Sequence, residues 1–217
     1  MYAKNILLKK SDEPQLAARL QELRHQIRGK DPETLAYLSG IPCKWIGNDQ
    51  AEFLFFFFEK ELRLIYPDLL IADVQTGQEL PTYQQAMILY YFHTSDGTPL
   101  QGKWISFSEL PEGRFYQQAF QEYSGNVLSN LFQDDLAGFE KAAQTMGGER
   151  TPFGQVAFRF LALPRVPLLA AYWQGDEDFL PSCQVLFDGS VSHYLPTDGC
   201  AILGKTLTQK LIKAYKV

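Results

Sequence analysis

The chain opens with apolar residues at helical spacing. Leu16, Leu20, Leu23 and Ile27 recur every three or four positions, with charges on the other face, which predicts a helix over 13–28. Ser11 or Asp12 is its expected cap, Pro14 suits the first turn and Gly29 its end. Asp31-Pro32 starts a second short helix with Leu35 and Leu38 inward, closed by Gly40, before an extended Ile41-Pro42. The pattern then changes. Residues 51–58 are almost all apolar and rich in Phe, which predicts a central strand covered on both faces. With 62–66 and 70–74, and turns at Pro67-Asp68 and 75–78, it forms a three-stranded antiparallel meander.

The middle of the chain reads as helical. Residues 81–94 fit a helix capped by Thr82, although 88–92 alone has the length of a strand. A short strand is expected over 104–107. A helix over 114–132 carries Phe115, Phe120, Tyr123, Val127 and Leu131, with a break at Gly125-Asn126. Another spans 136–146 and stops at Gly147-Gly148. Strands return at 156–163, where Val156, Phe158 and Phe160 alternate with Ala157 and Arg159. Residues 168–173 and 184–187 pair as a hairpin around the acidic turn Asp176-Glu177-Asp178. A terminal helix over 197–213 turns Ile202, Leu203, Leu207 and Leu211 inward. Repeats, low-complexity runs and linkers are absent from the sequence. The expectation is one α+β domain over 1–217, with antiparallel sheet and packed helices.

Composition supports a sizeable core: 46% of residues are hydrophobic and 14% aromatic. A net charge of −5 argues against nucleic-acid binding, which needs a basic face. The local clusters Lys4, Lys9, Lys10 and Lys205, Lys210, Lys213, Lys216 read as solvated surface. Cys43, Cys183 and Cys200 fit no zinc or iron–sulfur spacing and read as thiols of a reducing compartment. The run 5–8 is too short for a secretory signal, and no window reaches the ~20 apolar residues of a membrane span. A soluble, cytoplasmic protein is the expectation.

Candidate chemistry concentrates in PRVPLLAAYWQGDEDFLPSCQVLFDGSVSHYLP, residues 164–196. Asp176, Glu177 and Asp178 offer oxygens to a hard cation, but they lack calcium-loop spacing and read first as a solvated hairpin tip. Asp188 at a strand end reads as a cap for backbone N–H groups; with His193 it would make a general-base pair. No Ser or Cys stands in a nucleophile-elbow context. His25 and His93 read as helix-boundary residues, Cys183 as an inert thiol, and Gly147-Gly148 with Arg150 as a weak anion nest. Trp45, Trp104 and Trp173 each stand near a glycine at a strand end or turn; they read first as rings that commonly lie at element ends, and otherwise as the lining of a cleft for a flat ligand.

The stretch 80–196 resembles a family of bacterial and archaeal domains of unknown function, the domain of unknown function family 3786. The resemblance rests on Leu89-Tyr90-Tyr91-Phe92, on LQGKWISFSELP at 100–111, on Gly147-Gly148, and on PRVPLLAAYWQGDEDF with VLFDGSVSHYLP. It covers about half the chain closely and assigns no activity by itself. Members of that family often stand beside, or are fused to, four-cysteine modules like those of corrinoid iron–sulfur proteins. That company implies an accessory role with a corrinoid or other tetrapyrrole, or with a protein partner, in anaerobic cofactor or one-carbon metabolism. This chain has no cluster cysteines, so no iron–sulfur cluster is expected in it. It also lacks the Asp-x-His-x-x-Gly motif that places a histidine on cobalt: Leu23 and Arg28 interrupt it at His25, Tyr91 and Asp96 at His93, and Val191 and Pro196 at His193.

Two readings result. The first is a non-catalytic binding module. Trp104, Tyr172 and Trp173 would give an apolar wall, and Ser190, His193 and Tyr194 the donors for a ring's polar fringe. The second is a small metal-dependent hydrolase on Asp176, Glu177, Asp178, Asp188 and His193. The first is preferred because a nucleophile motif is lacking.

Overall fold

The computed structural model describes residues 13–216 and shows an α+β protein built on two antiparallel sheets. The chain divides into two compact units. One holds 13–100, Leu163–Arg165 and Ser190–Gly199; the other holds Gln101–Ala162, Val166–Gly189 and residues 200–216.

In the first unit, α1 (Glu13–Arg28) and α2 (Pro32–Ser39) precede strands β1 (Cys43–Trp45), β2 (Ala51–Phe57), β3 (Lys60–Tyr66) and β4 (Leu70–Asp73), followed by α3 (Thr82–Thr94). The expected caps of α1, Ser11 and Asp12, lie outside the described residues. Asp31 caps α2 by accepting the Thr34 N–H at 2.8 Å, and Gly40 ends it in the left-handed conformation. The meander is present and gains β1 as a fourth strand, in the order β1-β2-β3-β4. Its core face carries Phe53, Phe55, Leu62, Leu64 and Ile71. The Phe92 ring of α3 meets Phe53 and Phe55 edge-on at 5.2 and 5.8 Å. The expectation that β2 is covered on both faces is wrong. Burial alternates strictly along it, and Leu54 and Phe56 are exposed. Residues 82–94 are helical, as the sequence favoured over a strand. Thr82 does not cap that helix: Pro81 stands at the N-cap, with no side-chain bond.

The second unit holds β5 (Trp104–Ile105), α4 (Gln117–Tyr123), α5 (Gly125–Phe132), α6 (Leu136–Thr145), β6 (Glu149–Arg150), β7 (Val156–Leu163, whose last residue falls to the first unit), β8 (Val166–Trp173), β9 (Ser182–Asp188) and most of α7 (Thr197–Tyr215). The strand order is β5-β9-β8-β7-β6, and β8 pairs with β9 as the expected hairpin, Leu169 opposite Leu186 and Tyr172 opposite Cys183. The helix expected over 114–132 is interrupted close to the expected Gly125-Asn126 break, at Ser124, and it begins later than expected. A 3-10 turn at Gly113–Phe115 leads into α4, and Ser124 separates α4 from α5. Phe115 is exposed rather than inward; Phe120, Leu128 and Phe132 form the buried face. The break lets Gly125 approach β9 so closely that a Cβ there would stand 2.1 Å from the Cys183 carbonyl oxygen.

One face of this sheet is packed with rings. Phe120 stacks on Phe107 at 4.3 Å and tilts against Phe187, while Tyr172 stacks on Phe139 at 5.1 Å. In α7, a Cβ at Gly204 would stand 2.5 Å from the Phe120 ring, so the missing side chain is what admits it. The opposite face carries Ala157, Leu169, Ala171 and Leu186, with half-buried Trp104, Phe153 and Trp173 packed against them. Among the described residues, no helix is long and apolar enough to cross a membrane.

Candidate functional site

The most chemically capable group of side chains lies in the first unit, where the loop after α3 meets a short 3-10 turn, Val191–His193. Ser95 ends α3, its N–H and hydroxyl both donating to the Tyr91 carbonyl. Asp96 then folds the Asp-Gly-Thr sequence into an Asx turn: its Oδ1 accepts the Thr98 N–H at 2.9 Å, and Gly97 takes a φ of +82°. In the 3-10 turn, the His193 N–H donates to the Ser190 carbonyl at 2.9 Å, which holds the backbone that carries the imidazole.

His193 Nδ1 stands 2.6 Å from Asp96 Oδ2 and 3.2 Å from Thr98 Oγ1. The hydrogen bond from His193, followed by those from Thr98, draws the Asp96 pKa down to about 2. Asp96 is therefore a carboxylate at neutral pH and can only accept, so the proton between the two groups sits on Nδ1. In the neutral imidazole, the Nε2 lone pair is then left for another partner. Both side chains are close to half exposed.

A buried aromatic pair supports this turn. The Tyr194 ring stacks on Tyr91 at 5.9 Å, and its hydroxyl donates to the Thr98 carbonyl. The Tyr91 hydroxyl donates to the Ser39 carbonyl at 2.5 Å and accepts the Arg165 N–H at 3.2 Å. Burial pushes the Tyr91 pKa above the ordinary phenol range, so it remains a neutral donor.

The remaining sequence candidates fall in both units. Ser190 and Tyr194 belong with His193 in the first unit and are fully buried. Trp104, Tyr172 and Trp173 belong to the second. Tyr172 is fully buried inside its ring cluster, whereas Trp104 and Trp173 are half-buried on the other face of the sheet. Gly154 lies beneath the Trp173 indole, where a Cβ would come within 2.7 Å. Asp188 is buried, and its two oxygens accept the Gln101 and Gly102 N–H groups at 3.0 and 2.8 Å, the capping role expected of it. The carboxylate that engages His193 is that of Asp96.

In the acidic turn, Asp176 Oδ1 accepts the Asp178 and Phe179 N–H groups at 2.9 and 2.8 Å, closing the tip. Among the described residues, no three His, Cys, Asp or Glu side chains cluster as metal ligands would. Burial pushes the Cys183 pKa up to about 12, in keeping with an inert thiol. His25 is exposed, and Arg150 is engaged by Glu140.

Asp96 was the residue that sequence reading missed. Its histidine lies 97 positions away, and no local pattern joins them.

The family model for a domain of unknown function, DUF3786, matches residues 31–210. The chain belongs to this family. The matched span includes both Asp96 and His193. No curated protein and no solved structure matches the chain.

Proposed function

We propose that this DUF3786 chain is a non-catalytic binding protein, and that His193 Nε2 is its contact with the metal of a corrinoid or other tetrapyrrole. The observation that carries the reading is the 2.6 Å bond from His193 Nδ1 to an ionised Asp96. Histidines that ligate metals commonly give their other ring proton to a carboxylate, which sets the tautomer and raises the basicity of the ligating nitrogen. His193 fits such a role: it is about half exposed, its ring is oriented by the Asp96 bond, and Nε2 has no hydrogen-bond partner among the described residues. His193 Nε2 would hold the metal of such a ring, as histidine holds haem iron. The chain lacks the linear Asp-x-His-x-x-Gly signature at His193, but a carboxylate reaches that residue through space.

Within this reading Tyr194 and Ser190 are supports, not ligand contacts. Tyr194 holds Thr98, and the Ser190 carbonyl holds the His193 backbone. The bound ring would supply whatever redox or ligand chemistry the complex has; the protein supplies the oriented nitrogen.

Titration of cobalamin and of haem into the purified protein, followed by absorbance, tests the reading. Dissociation constants in the micromolar range are expected, corresponding to about −8 kcal/mol. His193→Ala should weaken binding by about tenfold or more. If neither ring binds below millimolar concentration, the reading fails, and recognition of a protein partner takes its place.

A further inference from the structure

The outward face of the four-stranded sheet breaks the usual rule for a sheet covered on one side. Such a sheet presents polar residues to water. Here Leu54 is 43% exposed, Phe56 57% and Val74 43%, and Ala72 is half-buried beside them. These residues lie on a regular grid. Leu54 stands opposite Arg63, which stands opposite Ala72; one step along, Phe56 stands opposite Glu61, whose carbonyl accepts the Val74 N–H at 3.1 Å. The face therefore carries two adjacent rows, Leu54-Arg63-Ala72 and Phe56-Glu61-Val74.

We propose that this face docks a second copy of the same chain. A two-fold axis lying in the interface plane, across the strands and between the two rows, maps each row onto the other. Leu54 then meets Phe56 of the second copy, Ala72 meets Val74, and Arg63 meets Glu61. Apolar groups fall on apolar groups, and each cation on an anion, twice by symmetry. This is the self-complementarity an isologous dimer requires, and stacked sheets with aligned strands supply the packing. The charges suit a copy of the chain despite its net −5. Lys44 and Arg63 balance Glu52 and Glu61 on this face, so it does not repel itself. Arg63 is 4.0 Å from Glu52 within one copy, and its side chain is half exposed, which leaves the guanidinium available across the interface.

Sedimentation of the full chain over a concentration series tests the proposal. The wild type should be dimeric. Phe56→Arg should be monomeric. Arg63→Glu and Glu61→Arg should each weaken association about tenfold or more, since each sets like charges face to face. The double variant Arg63→Glu/Glu61→Arg should regain the dimer, a recovery that misfolding of either single variant would not give. A wild type that stays monomeric to millimolar concentration overturns the proposal. So does a folded double variant no better associated than the singles, or a dimer indifferent to Phe56→Arg.

Discussion

Asp96 and His193, 97 positions apart, share a 2.6 Å hydrogen bond that ties the loop after α3 to the 3-10 turn following β9. The bond sets the imidazole tautomer and holds the carboxylate ionised.

Replacing Asp96 with Asn should keep the Asx turn but remove the negative charge that faces His193 Nδ1. Ligand binding through His193 should then weaken by about 10–100-fold, the usual loss when a carboxylate behind a ligating histidine is removed. The same titrations measure it, and affinity equal to wild type would show that the carboxylate plays no part.

The pair also has an acid signature. The folded pKa of Asp96, about 2, lies below that of the unfolded chain, near 4. Its contribution is fully present above the unfolded value and is lost as pH falls through the folded one. Urea midpoints between about pH 4 and pH 2 should therefore fall less steeply in Asp96→Asn than in wild type. Identical acid limbs would contradict the assignment.

The acidic turn separates a cap from two solvated charges. Asp176→Ala removes the acceptor of two N–H groups and should cost about 0.5–2 kcal/mol, as lost caps do. Glu177→Ala and Asp178→Ala should each change stability by less than about 0.5 kcal/mol. Added calcium or magnesium should leave the melting temperature unchanged. A metal-dependent rise lost in these variants would restore the cation reading.

The C-terminal helix supplies a packing test. Leu207 is fully buried, and Leu207→Ala should cost about 2–5 kcal/mol. The chain passes between its two units five times, so neither is one continuous segment. Calorimetry is expected to show one unfolding transition; two separate transitions would show that the units melt independently.

Where periodicity and burial agreed, the sequence was readable. Alternation identified β7, two apolar runs flanking the acidic turn identified the β8–β9 hairpin, and three-to-four spacing identified α1 and α7. It misled at β2 because Leu54 and Phe56 are apolar yet point outward, and strand composition does not say which face is covered. It misled at Phe115 because helical spacing was extended over Gly113–Phe115, a 3-10 turn that precedes the helix. Asp188 was legible as a cap because strand-end carboxylates commonly take that role. Asp96 was not legible as the partner of His193, since that contact exists only once the 3-10 turn and the loop after α3 are folded.

The most direct measurement is electron paramagnetic resonance of reduced cobalamin bound to the protein, with histidine carrying heavy nitrogen. If His193 Nε2 ligates the metal, the nitrogen hyperfine pattern should change on labelling, and His193→Ala should abolish that change. A bound spectrum that labelling leaves untouched, or one that persists unaltered in His193→Ala, would contradict the account.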